Sequence, residues 1–183
     1  MKYLKSTLCL NSNLNFTLKA WPVIAVATIG LCYLTQAVAK LFGIELPDQA
    51  NIDLVRQWGL HAFDSLANFG VFAFLCVQVL VIMPVIEELL FRGLLFKLPC
   101  KKLLCKAGAR ALPFVAAGAS ALFSAAHYLA QPWPDAAFLA LFFFGLAQCW
   151  LYKKTDRIWC AMLNHALFNL TNLVLLFVVP QTT

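Results

Sequence analysis

Apolar residues dominate the chain in five long runs, at about 20–43, 67–98, 112–131, 136–152 and 158–180. A helix needs roughly 20 apolar residues to span the hydrocarbon core of a bilayer. The pattern therefore predicts an all-α fold, a polytopic integral membrane bundle of about five transmembrane helices. The second run exceeds one straight crossing and contains Pro84, so a kink or break is expected there, since proline removes a backbone donor.

Composition strengthens the membrane assignment. Hydrophobic residues make up 62% of the chain and charged residues only 12%, about half the charged share of a typical soluble domain. Residues 1–66 are predicted to form one retained membrane helix followed by an interfacial or extracytoplasmic segment. Within 44–66, Val55, Trp58, Gly59 and Phe63 recur at near-helical spacing, which predicts a short interfacial helix.

The net charge of +6 follows membrane topology and does not indicate nucleic-acid binding. Basic residues cluster before the first run, between the second and third, and between the fourth and fifth, whereas the two alternate segments are mainly acidic. With five spans the basic segments share one side, which the positive-inside rule makes cytoplasmic. The N-terminus is then cytoplasmic and the tail 180–183 lies outside.

A first polar patch interrupts the second run at Glu87, Glu88 and Arg92. Glu88 and Arg92 are four residues apart, so they share a helix face and can form an ion pair. Glu87 points in another direction and is left available as a general base, because a desolvated carboxylate can be tuned for proton transfer. An ion pair that only locks the helix is the alternative for this patch.

Two further patches contain histidine. His127 lies four residues after Phe123, whose ring can wall one side of a pocket. His165 and Asn169 are four apart in the last run, so a His/Asn pair could donate to a developing oxyanion. Taken singly, these residues could equally be a structural histidine and interhelical hydrogen bonds. Together, the patches use almost every ionisable residue of the later spans, which favours one shared site.

The motifs Glu87-Glu88-x-x-x-Arg92, Phe123-x-x-x-His127 and His165-x-x-x-Asn169, in this order, resemble the CPBP family. That family, also called Abi, comprises CAAX prenyl proteases and bacteriocin-processing enzymes. The resemblance implies a protease core in 67–183 and a glutamate-dependent intramembrane endopeptidase without a cofactor. By the same resemblance, Glu87 would activate water with help from His127, and His165 and Asn169 would form the oxyanion site. Glu88 and Arg92 would support this geometry.

The resemblance also implies a substrate, namely a membrane-associated protein or peptide precursor with a lipidated or hydrophobic C-terminal tail. The small size is similar to compact bacterial members, which points to the bacterial cytoplasmic membrane. Two alternatives stay open from the residues themselves. Glu87, His127 and His165 could bind zinc, or the same groups could serve a non-enzymatic scaffold or transport component.

The positions of Glu87 and His127 within their apolar runs set one further requirement for a shared site. Linear counting puts Glu87 near the cytoplasmic end of its span and His127 near the outer end of the next. A common site then needs tilted helices, a break at Pro84, or helices that do not cross fully.

Overall fold

A computed structural model describes residues 2–46, 50–100, 108–129 and 136–178. These ranges contain six helices and no strand, which confirms the all-α prediction. The helices are α1 (Lys2–Leu41), α2 (Ala50–Leu60), α3 (Leu66–Cys100), α4 (Leu112–Ala126), α5 (Ala137–Thr155) and α6 (Ile158–Val178). Short 3₁₀ turns, Gly108–Ala111 and His127–Leu129, flank α4.

Three of these helices are long and apolar enough to cross a membrane: α3, α6 and the stretch Leu10–Leu41 of α1. The apolar α4 has only 15 residues, so it is about 22 Å long against a hydrocarbon core of about 30 Å. Large apolar side chains such as Val23 and Val26 of α1 are exposed, as expected for surfaces that face lipid. The predicted helical membrane bundle is confirmed.

The helices α1 and α2 add detail that the apolar runs do not contain. The first helix begins at Lys2, well before the first apolar run. The predicted helix within 44–66 is α2, which contacts α3 and α6. Its Gly59 has no side chain, so the ring of Phe177 can lie directly against the helix backbone.

The break expected at Pro84 takes the form of two π-helical segments within α3. They are Gln78–Ile82 and Leu89–Lys97, on either side of the α-helical turn Met83–Glu88. In a π-helix each N–H bonds to the carbonyl five residues earlier, and such segments are frequent at functional sites. The Met83 N–H accordingly donates to the carbonyl of Gln78. Pro84 has no N–H, so the next carbonyl, that of Val79, loses its donor in this register.

An aromatic cluster joins the middle of the bundle. It contains Phe91 of α3, Phe123 of α4, Phe144 of α5 and Phe168 of α6, together with Ile24 and Ala25 of α1. A second cluster joins the end of α3, the start of α4, the end of α5 and the start of α6. The exposed basic residues Lys97, Arg110, Lys153, Lys154 and Arg157 lie close to this end. Other charges used to predict topology, Lys101, Lys102, Lys106, Asp48 and Asp135, lie outside the described residues, as does the tail 180–183.

Candidate active site

A buried ion pair forms the base of the site. The Arg92 Nε atom lies 3.1 Å from Glu88 Oε2, and both side chains are at most 1% exposed, which confirms the pairing predicted from their spacing. The Nε–H is poorly aligned with that oxygen, so the contact is chiefly electrostatic. Arg92 also donates from Nη2 to the carbonyl of Gly145 at 3.3 Å, and its guanidinium carbon lies 4.7 Å from the centroid of the Phe123 ring. The arginine thus ties α3 to α4 and α5.

His165 of α6 lies between the two glutamates. Its Nδ1 atom is 2.9 Å from Glu88 Oε1. A carboxylate paired with a guanidinium can only accept hydrogen bonds, so Nδ1 carries a proton and donates it. The other ring nitrogen, Nε2, lies 3.7 Å from Glu87 Oε2, which is too long for a direct hydrogen bond. Both atoms are nevertheless close enough to contact the same small group.

The two glutamates differ in accessibility. Glu88 is fully buried, and both of its oxygens face a cationic or donor group. The Glu87 side chain is 17% exposed, although its Oε2 atom is itself buried and has no hydrogen-bond partner within the described part of the chain. Glu87 is therefore the more exposed of the two carboxylates.

Aromatic rings surround His165 and connect it with His127. The Phe123 ring centroid is 4.8 Å from that of His127 and 5.9 Å from that of His165, so one ring contacts both histidines. His127 Nδ1 is 2.9 Å from the carbonyl of Phe123. Since a carbonyl only accepts, Nδ1 donates, and Nε2 carries the lone pair when the ring is neutral. The structure brings His127 next to the wall of the site, at the end of the short α4.

Asn169 lies one turn after His165 on α6. Its side-chain Nδ2 donates to the carbonyl of Val79 at 2.8 Å, the carbonyl whose helical donor is removed by Pro84. The amide nitrogen carries two hydrogens, and this bond uses one of them. Asn169 thus connects the last helix to the first π-helical segment of α3.

Sequence reasoning missed several residues that build this site. The Phe144 ring centroid lies 5.1 Å from that of His165. The Gly145 carbonyl accepts the hydrogen bond from Arg92. Asn164 Nδ2 donates to Gln148 Oε1 at 3.2 Å, and this pair of fully buried amides joins α5 to α6. Both are neutral amides, whereas the predicted site was built mainly on ionisable residues. Their signal was present in the sequence, since Gln148 interrupts an apolar run and Asn164 directly precedes His165.

The zinc alternative required Glu87, His127 and His165 to converge as ligands. Across residues 2–46, 50–100, 108–129 and 136–178, no group of three or more His, Cys, Asp or Glu side chains is arranged to hold a metal ion. The zinc alternative with Glu87, His127 and His165 as ligands stays a prediction.

One of three comparisons with known proteins identifies a family for this chain. Searches of curated proteins and of solved structures each found no significant match. A sequence model of the family described as "Type II CAAX prenyl endopeptidase Rce1-like" matches residues 69–171, which is more than half of the 183 residues. The match includes all three motifs and places the chain, at family level, among CAAX-type intramembrane proteases. The chain belongs to the family of Rce1-like type II CAAX prenyl endopeptidases.

Proposed function

We propose that this protein hydrolyses a peptide bond of a membrane-associated substrate with a water molecule activated by Glu87. One observation carries the proposal: His165 is bonded to the buried Glu88 through Nδ1 and faces the partly exposed Glu87 through Nε2. A fixed imidazole and, 3.7 Å from it, a carboxylate oxygen without a hydrogen-bond partner are two of the groups that water-dependent peptide hydrolysis needs.

The reaction begins with proton transfer to Glu87. As the water oxygen attacks the scissile carbonyl carbon, Glu87 takes the water proton and the carbonyl oxygen becomes an oxyanion. Nε2 of His165 and the second Nδ2 hydrogen of Asn169 donate to that oxyanion. The C–N bond then breaks, and the leaving amine takes the proton back from Glu87. The Nδ1 atom of His127 is held by the Phe123 carbonyl. Its Nε2 atom is then available to help Glu87 activate the water.

Donation from both nitrogens requires His165 to carry two ring protons. The Glu88 carboxylate at 2.9 Å compensates that positive charge, and the buried Arg92 in turn holds Glu88 in place. Fixed donors in a site that excludes water stabilise an oxyanion more strongly than water does. Glu88 and Arg92 are therefore positioning residues in this proposal, and they do not touch the substrate.

The proposed substrate is a protein or peptide precursor anchored by a lipidated or hydrophobic C-terminal tail. The support is the family match together with the exposed apolar residues around Glu87: Met83, Ile86 and Leu90 are each more than a third exposed. A lipid-embedded chain can therefore approach Glu87 along the surface of α3. We further propose that the protein resides in a bacterial cytoplasmic membrane with its N-terminus in the cytoplasm.

The test is comparative proteomics of membranes that contain the wild type or Glu87→Gln. We expect a C-terminal fragment of at least one membrane protein to appear only with the wild type. Loss of a general base should slow turnover by about 10²- to 10⁴-fold. Glu45→Gln makes the same chemical change at an exposed position outside the bundle core and should cleave normally. Equal cleavage in membranes with the Glu87→Gln variant and with the wild type would refute the proposed role of Glu87. That result would indicate that the protein is a scaffold or transport component.

A further inference from the structure

The hydrogen bond between Asn169 and Val79 has a cause in the sequence of α3. The carbonyl of Val79 could accept from the residue four or five positions ahead. The N–H of Met83, four ahead, donates to Gln78 instead, and Pro84, five ahead, has no N–H. A carbonyl in lipid without a donor is strongly unfavourable, because no water is present to replace the missing hydrogen bond. The Asn169 amide on α6 supplies the missing donor at 2.8 Å.

This bond also determines where the rest of the amide points. A side-chain amide is planar, so fixing one N–H fixes the direction of the other N–H and of the oxygen. We propose that Pro84 and the Val79 carbonyl position Asn169 for catalysis. Pro84 frees the carbonyl, the carbonyl takes one amide hydrogen, and the second hydrogen is thereby held toward the reacting group. This inference rests on the proposed role of Asn169 in oxyanion stabilisation.

The first test observes the hydrogen bond itself. The sequence contains two Val-Leu pairs, Val79-Leu80 and Val174-Leu175. Protein labelled with ¹³C at valine carbonyls and ¹⁵N at leucine amides therefore gives two correlated carbonyl signals in solid-state NMR, one of which is an internal reference. We expect Asn169→Ala to shift the Val79 signal and to leave the Val174 signal nearly unchanged. An unchanged Val79 signal would overturn the inference, and this measurement does not require activity.

The second test is kinetic and uses the substrate identified by proteomics. Pro84→Ala restores an N–H that competes with Asn169 for the Val79 carbonyl. We expect kcat to fall roughly 10- to 100-fold, because small misplacements of catalytic groups cost up to about that much, while KM changes less than about twofold. Pro22→Ala, also a proline inside a helix but exposed on α1, should retain wild-type turnover.

The double variant separates positioning from general damage to the fold. If Pro84 acts through Asn169, Pro84→Ala should cause little further loss of kcat in an Asn169→Ala background. Multiplicative losses would overturn the inference while leaving the proposed function intact. Wild-type turnover of Asn169→Ala alone would instead refute the proposed role of Asn169, and the kinetic part of the inference with it. If Pro84→Ala does not fold, the Val79 signal of the Asn169→Ala protein still decides whether the bond exists.

Discussion

Replacing Gly145 by alanine tests the packing that supports the site. A Cβ atom at this position would lie 2.9 Å from Cβ and 3.0 Å from Cα of Ser120. Ordinary contacts of this kind measure 3.4–4 Å, so α4 and α5 would have to separate by about half an ångström. The nearest atoms belong to the backbone and first side-chain carbon of Ser120, which cannot rotate away. The added methyl group therefore moves a helix.

Three contributions set the expected change in stability, two of them destabilising and one stabilising. Overpacking a core by one carbon typically destabilises a protein by about 1–3 kcal/mol. Alanine regains up to about 1 kcal/mol of helix propensity over glycine. The shift also weakens the 3.3 Å bond from Arg92 to the Gly145 carbonyl, and a buried donor left unpaired costs about 1–3 kcal/mol. We expect a net loss of about 2 kcal/mol, with reduced turnover because Arg92 holds Glu88 and Glu88 holds His165.

Thermal unfolding in detergent and turnover of the identified substrate would measure both effects. A loss of 2 kcal/mol corresponds to a Tm lower by about 4–8 °C for a chain of this size. Gly118→Ala is the matched control on α4, because a Cβ there meets nothing within 4 Å. Ser120→Gly removes two of the three atoms closest to the new methyl group and should partly restore the Gly145→Ala protein. A Gly145→Ala protein as stable and active as the wild type would refute the reasoning.

Three other outcomes are expected. Arg92→Met should destabilise the protein by about 3–5 kcal/mol in detergent unfolding, because it removes the guanidinium partner of the buried Glu88, and adding Glu88→Gln should recover part of that loss. Ala25→Leu on α1 should destabilise the protein by about 1–3 kcal/mol and lower turnover, because the larger side chain disturbs the aromatic cluster. Val26→Leu, at a residue 73% exposed, should change neither stability nor turnover. Equal effects of the two substitutions would contradict the packing described for α1. Turnover should persist in strong chelator, and the purified protein should contain no stoichiometric zinc. Loss of turnover in chelator that is restored by added zinc would contradict this prediction.

The positions of the helices could be predicted because lipid leaves few options. Backbone polar groups must be satisfied within each span, so an apolar run of sufficient length becomes a helix. The ion pair of Glu88 with Arg92 was likewise predictable, because residues four apart share a helix face. What the runs did not indicate is where α4 ends. Its apolar run continues past His127, but the α-helix ends at Ala126 and His127 begins a 3₁₀ turn.

Other parts of the site depend on contacts that no residue letter encodes. The acceptor for Arg92 is a backbone carbonyl on α5, 53 residues away in sequence. Any residue offers such a carbonyl, so its choice depends on how closely α4 and α5 approach at Ser120 and Gly145. The packing of α1 on this cluster was also beyond prediction, because its apolar positions look alike in sequence and only the fold separates buried Ala25 from exposed Val26. The assignment of 1–66 and 67–183 to separate units stays a prediction.

The pattern of satisfied and unsatisfied polar groups leads to the reactive residue. In an apolar medium each buried polar group needs a partner, and here the partners form a chain from the Gly145 carbonyl to Arg92, then to Glu88, then to His165. Each contact fixes the next group in one orientation. The chain ends at Glu87, which is close to His165 but has a carboxylate oxygen without a hydrogen-bond partner in the described residues. Glu88 Oε2, Arg92 Nη1 and Asn164 Oδ1 also lack hydrogen-bond partners, but their residues are at most 1% exposed. The Glu87 side chain is 17% exposed, so a substrate can approach it, and for that reason we propose that Glu87 transfers the proton.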